Sequence, residues 1–440
     1  MIIFGTGFNI ATSIIFWTVA LVVLLRIIWL AGFSIPYKKI NDKTVSLLIG
    51  TEKPQRAAPY SKSEGRKVLL FAAAVRLAML VISFVMLEHI NGAAPSVTTW
   101  LYASRGWDSG HYITLARYGY VFAENGRNIF LVFFPLYVYL IRITAFVIRN
   151  YMVSAYIVAY LSYCFGIYYL YRLVRLDFSK HVAWWAVALI SIAPPAFFFG
   201  TPMTESLMLL TSAMTLYYIR THKWALAGAA GALAMFTRMV GAVLIVAAAV
   251  EFATHYRVFY MMKKAQWAKL WKLIVTQGLW ILLMLAGGVA YLAINWWVSG
   301  NVFQFLYYQR THWHNVSQYF GRTITTQFYA IAHSSDTALV RATFIPNVIA
   351  FGFSILMLGY ACFKRHNPAY IVYALGYTYM SFSPSWLLSG ARYAVVCIPL
   401  FIFLGEFVAK KPLRYIPVTM VFLIGLFPLF YVFMRWGPVF

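Results

Sequence analysis

The stretch Lys263-Lys264-Ala265-Gln266-Trp267-Ala268-Lys269-Leu270-Trp271-Lys272 stands between two apolar runs, near 238–252 and 273–297. Short lysine-rich loops stay on the cytoplasmic side of a membrane, because carrying their positive charge across is disfavoured. This stretch therefore fixes an inside. Every other lysine also falls between apolar runs, within 38–67, at Lys180, Lys223 and Lys364, and at Lys410-Lys411. With 62% apolar residues, 11% charged residues and a mean hydropathy of +0.73, too few polar side chains remain to clothe a water-soluble globule. The sequence thus predicts an all-α, polytopic membrane protein. Its net charge of +25 sits in juxtamembrane loops, where anionic membrane lipids are the natural counter-charge; nucleic acid is not an expected partner. Cys164, Cys362 and Cys397 are scattered through apolar runs and suggest packing rather than a disulfide or metal framework.

A helix needs roughly 20 apolar residues to cross a bilayer. Spans are expected near 8–30, 68–87, 151–171, 182–199, 203–219, 224–236, 238–252, 273–297, 346–363, 368–383, 393–409 and 415–434, about twelve in all. The run 130–148 is left out by parity. A single crossing there would move Arg172, Arg175, Lys180 and every later basic loop to the outside. Its Pro135, Arg142 and Arg149 suit a helix lying in the membrane plane. Residues 1–67 then form an extra N-terminal transmembrane helix with a basic cytoplasmic loop, and 68–440 a main membrane domain with large external loops at 88–150 and 298–345.

No lysine occurs in the external segments, whose cations are arginines. Arginine presents a planar fork suited to phosphate, whereas Arg127, Arg142, Arg149 and Arg322 are read rather as headgroup contacts. In the first external loop, Trp107-Asp108-Ser109-Gly110-His111-Tyr112 places a carboxylate among aromatics. Asp108 is a candidate general base or a cap for a helix starting near Gly110, and the residues alone support both. Glu205, in Thr204-Glu205-Ser206, stands at a helix start beside a membrane span, where a carboxylate is costly. Further external marks are Phe133-Phe134-Pro135-Leu136-Tyr137, Thr237-Arg238 with Gly241, and Ser389-Gly390-Ala391-Arg392-Tyr393. In the loop 298–345, helical spacing would align Phe305, Gln309 and Trp313, a pattern that packing also produces. His312 and His314 flank Trp313 without a matching carboxylate cluster, so they make a weak metal motif.

Taken in order, Trp107-Asp108-Ser109-Gly110-His111-Tyr112 with Gly119-Tyr120, Phe133-Phe134-Pro135-Leu136-Tyr137, Thr204-Glu205-Ser206-Leu207, Thr237-Arg238 with Gly241, and Ser389-Gly390-Ala391-Arg392-Tyr393 resemble the motifs of the second mannosyltransferase of GPI-anchor assembly and its prokaryotic relatives. The chain departs from that pattern at His111, Val138 and Met239, where the family often has Trp, Pro and Pro. Resemblance implies a GT-C-type fold, with the in-plane helix in the first large external loop. It also implies transfer of mannose or another hexose from a polyprenyl-phosphate donor to a glycan, lipid or protein acceptor on the extracytoplasmic face, with inversion. Asp108 and Glu205 are the expected catalytic residues. Trp107, His111, Tyr112, Pro135, Tyr137, Arg238, Gln309, Trp313, Arg392 and Tyr393 are the expected substrate-binding ones.

No cofactor is demanded by the sequence; a divalent cation is compatible with it but not indicated. The expected location is a bacterial plasma membrane with the active site outside, the alternative being the endoplasmic reticulum with a lumenal site. A rival reading is a transporter or flippase for polyprenyl-phosphate-linked cargo. Broken helices and external arginines favour it; the long external loops, the lack of internal repeats and the scarcity of charge within spans, Arg76 excepted, oppose it.

Overall fold

A computed structural model describes residues 2–33, 61–124 and 126–440. The part of the basic segment 38–67 that precedes Ser61 lies outside the described residues. Among those described, the chain is helical apart from turns and two isolated bridges, Glu124 with Arg127 and Ser317 with Pro384. Local chemistry sets the helix ends. Ser61 Oγ accepts from Glu64 N to start Lys62–Asn91, which stops at Gly92 in the left-handed region (φ 72°). Asn150 and Ser179 cap Tyr151–Asp177 and Lys180–Ile192 in the same way.

Five of the described helices are long and apolar enough to cross a membrane: Ile3–Leu30, Lys62–Asn91, Tyr151–Asp177, Thr337–Phe363 and Tyr415–Met434. A sixth span is obtained if Trp267–Leu282 and Leu285–Ser299, bent by 42°, count as one. The expected dozen is thus not matched by twelve full-length helices. Several expected spans are shorter: Glu205–Arg220, Trp224–Thr237, Pro368–Phe382 and Ile398–Ala409. The reason is physical. Three of them stop or start at polar breaks, Thr204-Glu205, Thr237-Arg238 and Ser383–Ser389, that surround one cavity; irregular backbone at membrane depth is tolerated where it lines a cavity or is buried in protein.

Two further boundaries differ from expectation. The loop 298–345 is largely helical, with Gln304–Thr311 and Phe320–His333, and the following span begins at Thr337 rather than 346. Pro135–Ile148 is a helix of 14 residues with Pro at its first position, packed on Asp108–Tyr118 and Tyr151–Asp177.

The N-terminal helix Ile2–Leu30 packs on Phe320–His333 and Ile345–Phe363. It is pinned at both ends, by Asn9 Nδ2 donating to the Gly321 carbonyl (3.0 Å) and by Arg26 Nη1 donating to that of His366 (2.7 Å). Arg220 joins Asp177 and Glu251, and Tyr370 and Asn367 hydrogen-bond the same two carboxylates. Arg76 is fully buried in the middle of Lys62–Asn91. It donates to the carbonyls of Ala196 (2.9 Å) and Ser191 (3.3 Å) and lies 4.2 Å over the Tyr163 ring. Its charge thus serves the carbonyl end of Lys180–Ile192, where a cation is favoured, and holds the turn that leads to Glu205.

Candidate active site

Asp108 opens the helix Asp108–Tyr118. The residue before it, Trp107, is forced to φ 56°, a conformation that non-glycine residues rarely adopt. Capping is not what Asp108 does, because Trp107 occupies the cap position and no side chain caps that helix. The helix begins at Asp108 rather than near Gly110, and the Asp108 carboxylate reaches across the fold. Its Oδ2 accepts from Arg392 Nη1 at 2.7 Å, while the side chain stays 32% exposed.

Arg392 is the centre of a chain of charges. Its Nε donates to Glu205 Oε1 at 2.6 Å, and Arg238 Nη1 donates to that same oxygen at 2.8 Å. The order is therefore Asp108, Arg392, Glu205, Arg238. These residues come from the start of Asp108–Tyr118, the short helix Gly390–Ala394, the first position of Glu205–Arg220 and the break after Trp224–Thr237. Aromatic faces back the cations: Arg238 lies 4.2 Å over Tyr393 and Arg392 4.9 Å over Phe198. Gly241 lets the break fold tightly, since a Cβ there would meet the Ala234 carbonyl and Met235 nitrogen at 2.6 Å.

The arrangement faces a cavity of about 610 Å³. Of the expected residues, Trp107, Asp108, His111, Tyr112, Arg238, Gln309, Trp313, Arg392 and Tyr393 line it. Glu205, Pro135 and Tyr137 do not. Glu205 is 0% exposed and touches the cavity only through the two arginines it holds. Tyr137 is buried with its hydroxyl on the Ala155 carbonyl (2.9 Å), a packing role. The expected stripe Phe305, Gln309 and Trp313 is also broken, because the helix ends at Thr311 and Phe305 packs on Tyr291; Gln309 and Trp313 still reach the cavity.

Three aromatic residues, Phe130, Phe133 and Trp313, surround the His111 ring at 4.7, 5.3 and 5.9 Å. Burial holds its pKa below the ordinary 6.5, with the Asp108 charge opposing the shift, so the imidazole is neutral at pH 7. Burial likewise pushes the Tyr112 phenol up. A smaller cavity of about 410 Å³ adjoins the first and shares His111, His312 and Trp313 with it; Glu124 and Arg127 also line it. Among the described residues no three His, Cys, Asp or Glu side chains converge as metal ligands.

Tyr377, Thr204 and Thr237 also line the large cavity, although the sequence did not single them out as substrate contacts. Tyr377 lies in an apolar span without a local motif; the only cue was the recurrence of tyrosine at 370, 373 and 377, one helical face.

Residues 134–286 match a family model described as dolichyl-phosphate-mannose-protein mannosyltransferase. The matched segment contains Glu205 and Arg238 but neither Asp108 nor Arg392. No curated protein matches the chain. Among solved structures, similarity is found to an oligosaccharyltransferase of Archaeoglobus fulgidus in complex with an inhibitory peptide and a dolichol-phosphate, at 15% identity over 85% of this chain and 55% of that one, with a TM-score of 0.45. The apo form of the Archaeoglobus fulgidus oligosaccharyltransferase is similar at 12% identity over 86% and 56%, with a TM-score of 0.43. The chain spans just over half the length of these structures.

Proposed function

We propose that this protein is a membrane glycosyltransferase that moves a hexose, mannose in the first instance, from a polyprenyl-phosphate carrier to an acceptor hydroxyl, with inversion. The observation that carries the reading is a solvent-reaching carboxylate, Asp108, set in one cavity beside two arginines, Arg392 buried and Arg238 partly buried, that share a buried glutamate. The matched family model supports the donor class. The lipid tail of such a donor would lie in the bilayer while its phosphosugar occupies the cavity, so no nucleotide-binding motif is required.

In this mechanism Asp108 accepts the proton of the acceptor hydroxyl, and the resulting oxygen attacks the anomeric carbon. The bond from that carbon to the phosphate oxygen breaks, and the polyprenyl phosphate leaves with the electron pair. Arg392 and Arg238 neutralise the charge that develops on it, a role that needs cations already in place. The balance of charge explains the Asp108–Arg392 contact. When Asp108 becomes neutral, Arg392 loses one of its two counter-charges, keeping Glu205, at the moment the leaving phosphate gains one. Glu205 acts as a positioning residue that sets the spacing of both forks. Trp107, His111, Tyr112, Gln309, Trp313 and Tyr393 line the space left for sugar and acceptor. The lysine distribution supports a cavity on the non-cytoplasmic side, and the setting proposed is a bacterial plasma membrane with the cavity outside, or the endoplasmic reticulum with the cavity in the lumen.

Arg76, the main exception to the scarcity of charge within the spans, is fully buried against carbonyls and does not line the cavity. The test is turnover. Purified protein in liposomes with labelled polyprenyl-phosphate mannose is expected to release the label onto an acceptor or water and to leave polyprenyl phosphate. A flippase would move the lipid and leave the glycosidic bond intact.

A further inference from the structure

Three tyrosines, Tyr370, Tyr373 and Tyr377, lie along one face of Pro368–Phe382. The first two have partners: Tyr370 donates to Asp177 Oδ2 (2.7 Å), and the Tyr373 hydroxyl meets Ser212 Oγ (3.2 Å). Tyr377 differs. Its side chain is 1% exposed and it lines the large cavity, yet its hydroxyl has no hydrogen-bond partner. A buried phenol left without a partner is destabilising, and such groups call for an explanation. Arg238 and Glu205 are the charged groups that face it, and the Tyr393 ring, stacked under Arg238, completes its surroundings.

A hydroxyl can donate once. Beside the Arg238 guanidinium and in one cavity with that of Arg392, whose forks are suited to phosphoryl oxygens, the chemistry this donor adds is a third hydrogen bond to an anion. An apolar lipid tail would gain nothing from it. We propose that the Tyr377 hydroxyl binds the phosphate of the lipid-linked donor, forming with Arg238 and Arg392 a three-point cradle; the inference rests on the donor class proposed above. The rival explanation is a water bridge from the hydroxyl to Glu205 Oε2, which like Thr378 Oγ1, Ser109 Oγ and Trp313 Nε1 is a buried polar atom without a hydrogen-bond partner. That role is structural and needs no donor.

Tyr377→Phe separates the two, because it removes a single oxygen and keeps the ring. The full-length protein in nanodiscs is melted with and without polyprenyl monophosphate, and with inorganic phosphate in a parallel arm. The cradle predicts that the variant alone melts at or above the parental temperature, since a dissatisfied hydroxyl has gone. It also predicts roughly ten- to a hundredfold weaker binding of polyprenyl monophosphate, the value of a hydrogen bond to a charged group. Arg238→Lys, which retains the charge, should weaken the same binding while Tyr377 remains. Parental affinity in Tyr377→Phe overturns the proposal, and a lowered melting temperature with unchanged affinity assigns the hydroxyl to the bridge with Glu205. A shift with inorganic phosphate equal to that with the lipid, lost equally in the variant, would make this a free-phosphate site. If the parent binds neither probe, the donor reading itself fails, a result distinct from failure of Tyr377 alone.

Discussion

Glu205→Ala is the substitution whose cost can be worked most directly from the structure. The Glu205 side chain is 0% exposed, and its Oε1 holds both Arg238 and Arg392 at 2.8 and 2.6 Å. Removing it leaves the buried Arg392 and the partly buried Arg238 with only Asp108, on the far side of Arg392, as a counter-charge. Breaking a buried pair by deleting one partner costs about 3–5 kcal/mol, a large share of the roughly 5–15 kcal/mol that holds a typical protein folded. Glu205→Gln keeps the shape and one acceptor and should fall between the parent and Ala. The assay is thermal denaturation of the detergent-purified protein with and without polyprenyl phosphate. Because an added phosphate restores negative charge between the arginines, it should raise the melting temperature of Glu205→Ala more than that of the parent. Transfer should fall about 10²–10³-fold, as when a preplaced electrostatic group is lost. Parental melting and turnover in Glu205→Ala would refute the role given to Glu205 as the link between the arginines.

Other expectations follow from the same geometry. Arg392→Lys keeps a charge but cannot reach Glu205 and Asp108 as a fork, so donor affinity and transfer should both drop while the protein still inserts; kinetics with labelled donor read this. His111, held neutral by burial, binds fewer protons folded than unfolded, so its contribution to stability is present above about pH 6.5 and lost as pH falls below it. Melting scans from pH 7.5 to about 5 should show a decline that is smaller in His111→Phe, which keeps the stack with Phe130 and Phe133. In a background lacking Cys164, Cys362 and Cys397, a cysteine at Val121 (59% exposed) should react with an impermeant thiol reagent from outside, and one at Lys269 should not. Ser109 and Ser206 are fully buried and would be misleading reporters.

The helical, membrane-spanning character was legible because lysine placement and long apolar runs are properties of sequence alone. The number of full spans was not. Glu205–Arg220 and Pro368–Phe382 are apolar enough to suggest complete crossings, but their ends are set by partners distant in sequence, and no local pattern reports that. Asp108, Arg238 and Arg392 stood out as charges at helix breaks, and the structure brings them together around Glu205. Whether Glu205 faced substrate or arginine depended on contacts 33 and 187 residues away. Tyr137 illustrates the converse: a motif residue beside Pro135 whose hydroxyl serves only a backbone carbonyl. Tyr377 was hidden because one tyrosine in an apolar helix looks like any other until its neighbours prove to have partners.

Asp108→Asn tests the central claim most directly. Asn retains the shape and can still accept from Arg392, and the position is 32% exposed, so the cost in stability should stay within about 1 kcal/mol. It cannot take a proton. The measurement is the initial rate of hexose transfer from polyprenyl-phosphate mannose by the purified variant in liposomes, with donor binding and melting followed in parallel. Expected are parental insertion, retained donor binding and a rate roughly 10²–10⁴-fold lower. Transfer at close to the parental rate by Asp108→Asn would contradict it, because the cavity would then be working without the carboxylate around which its chemistry is argued.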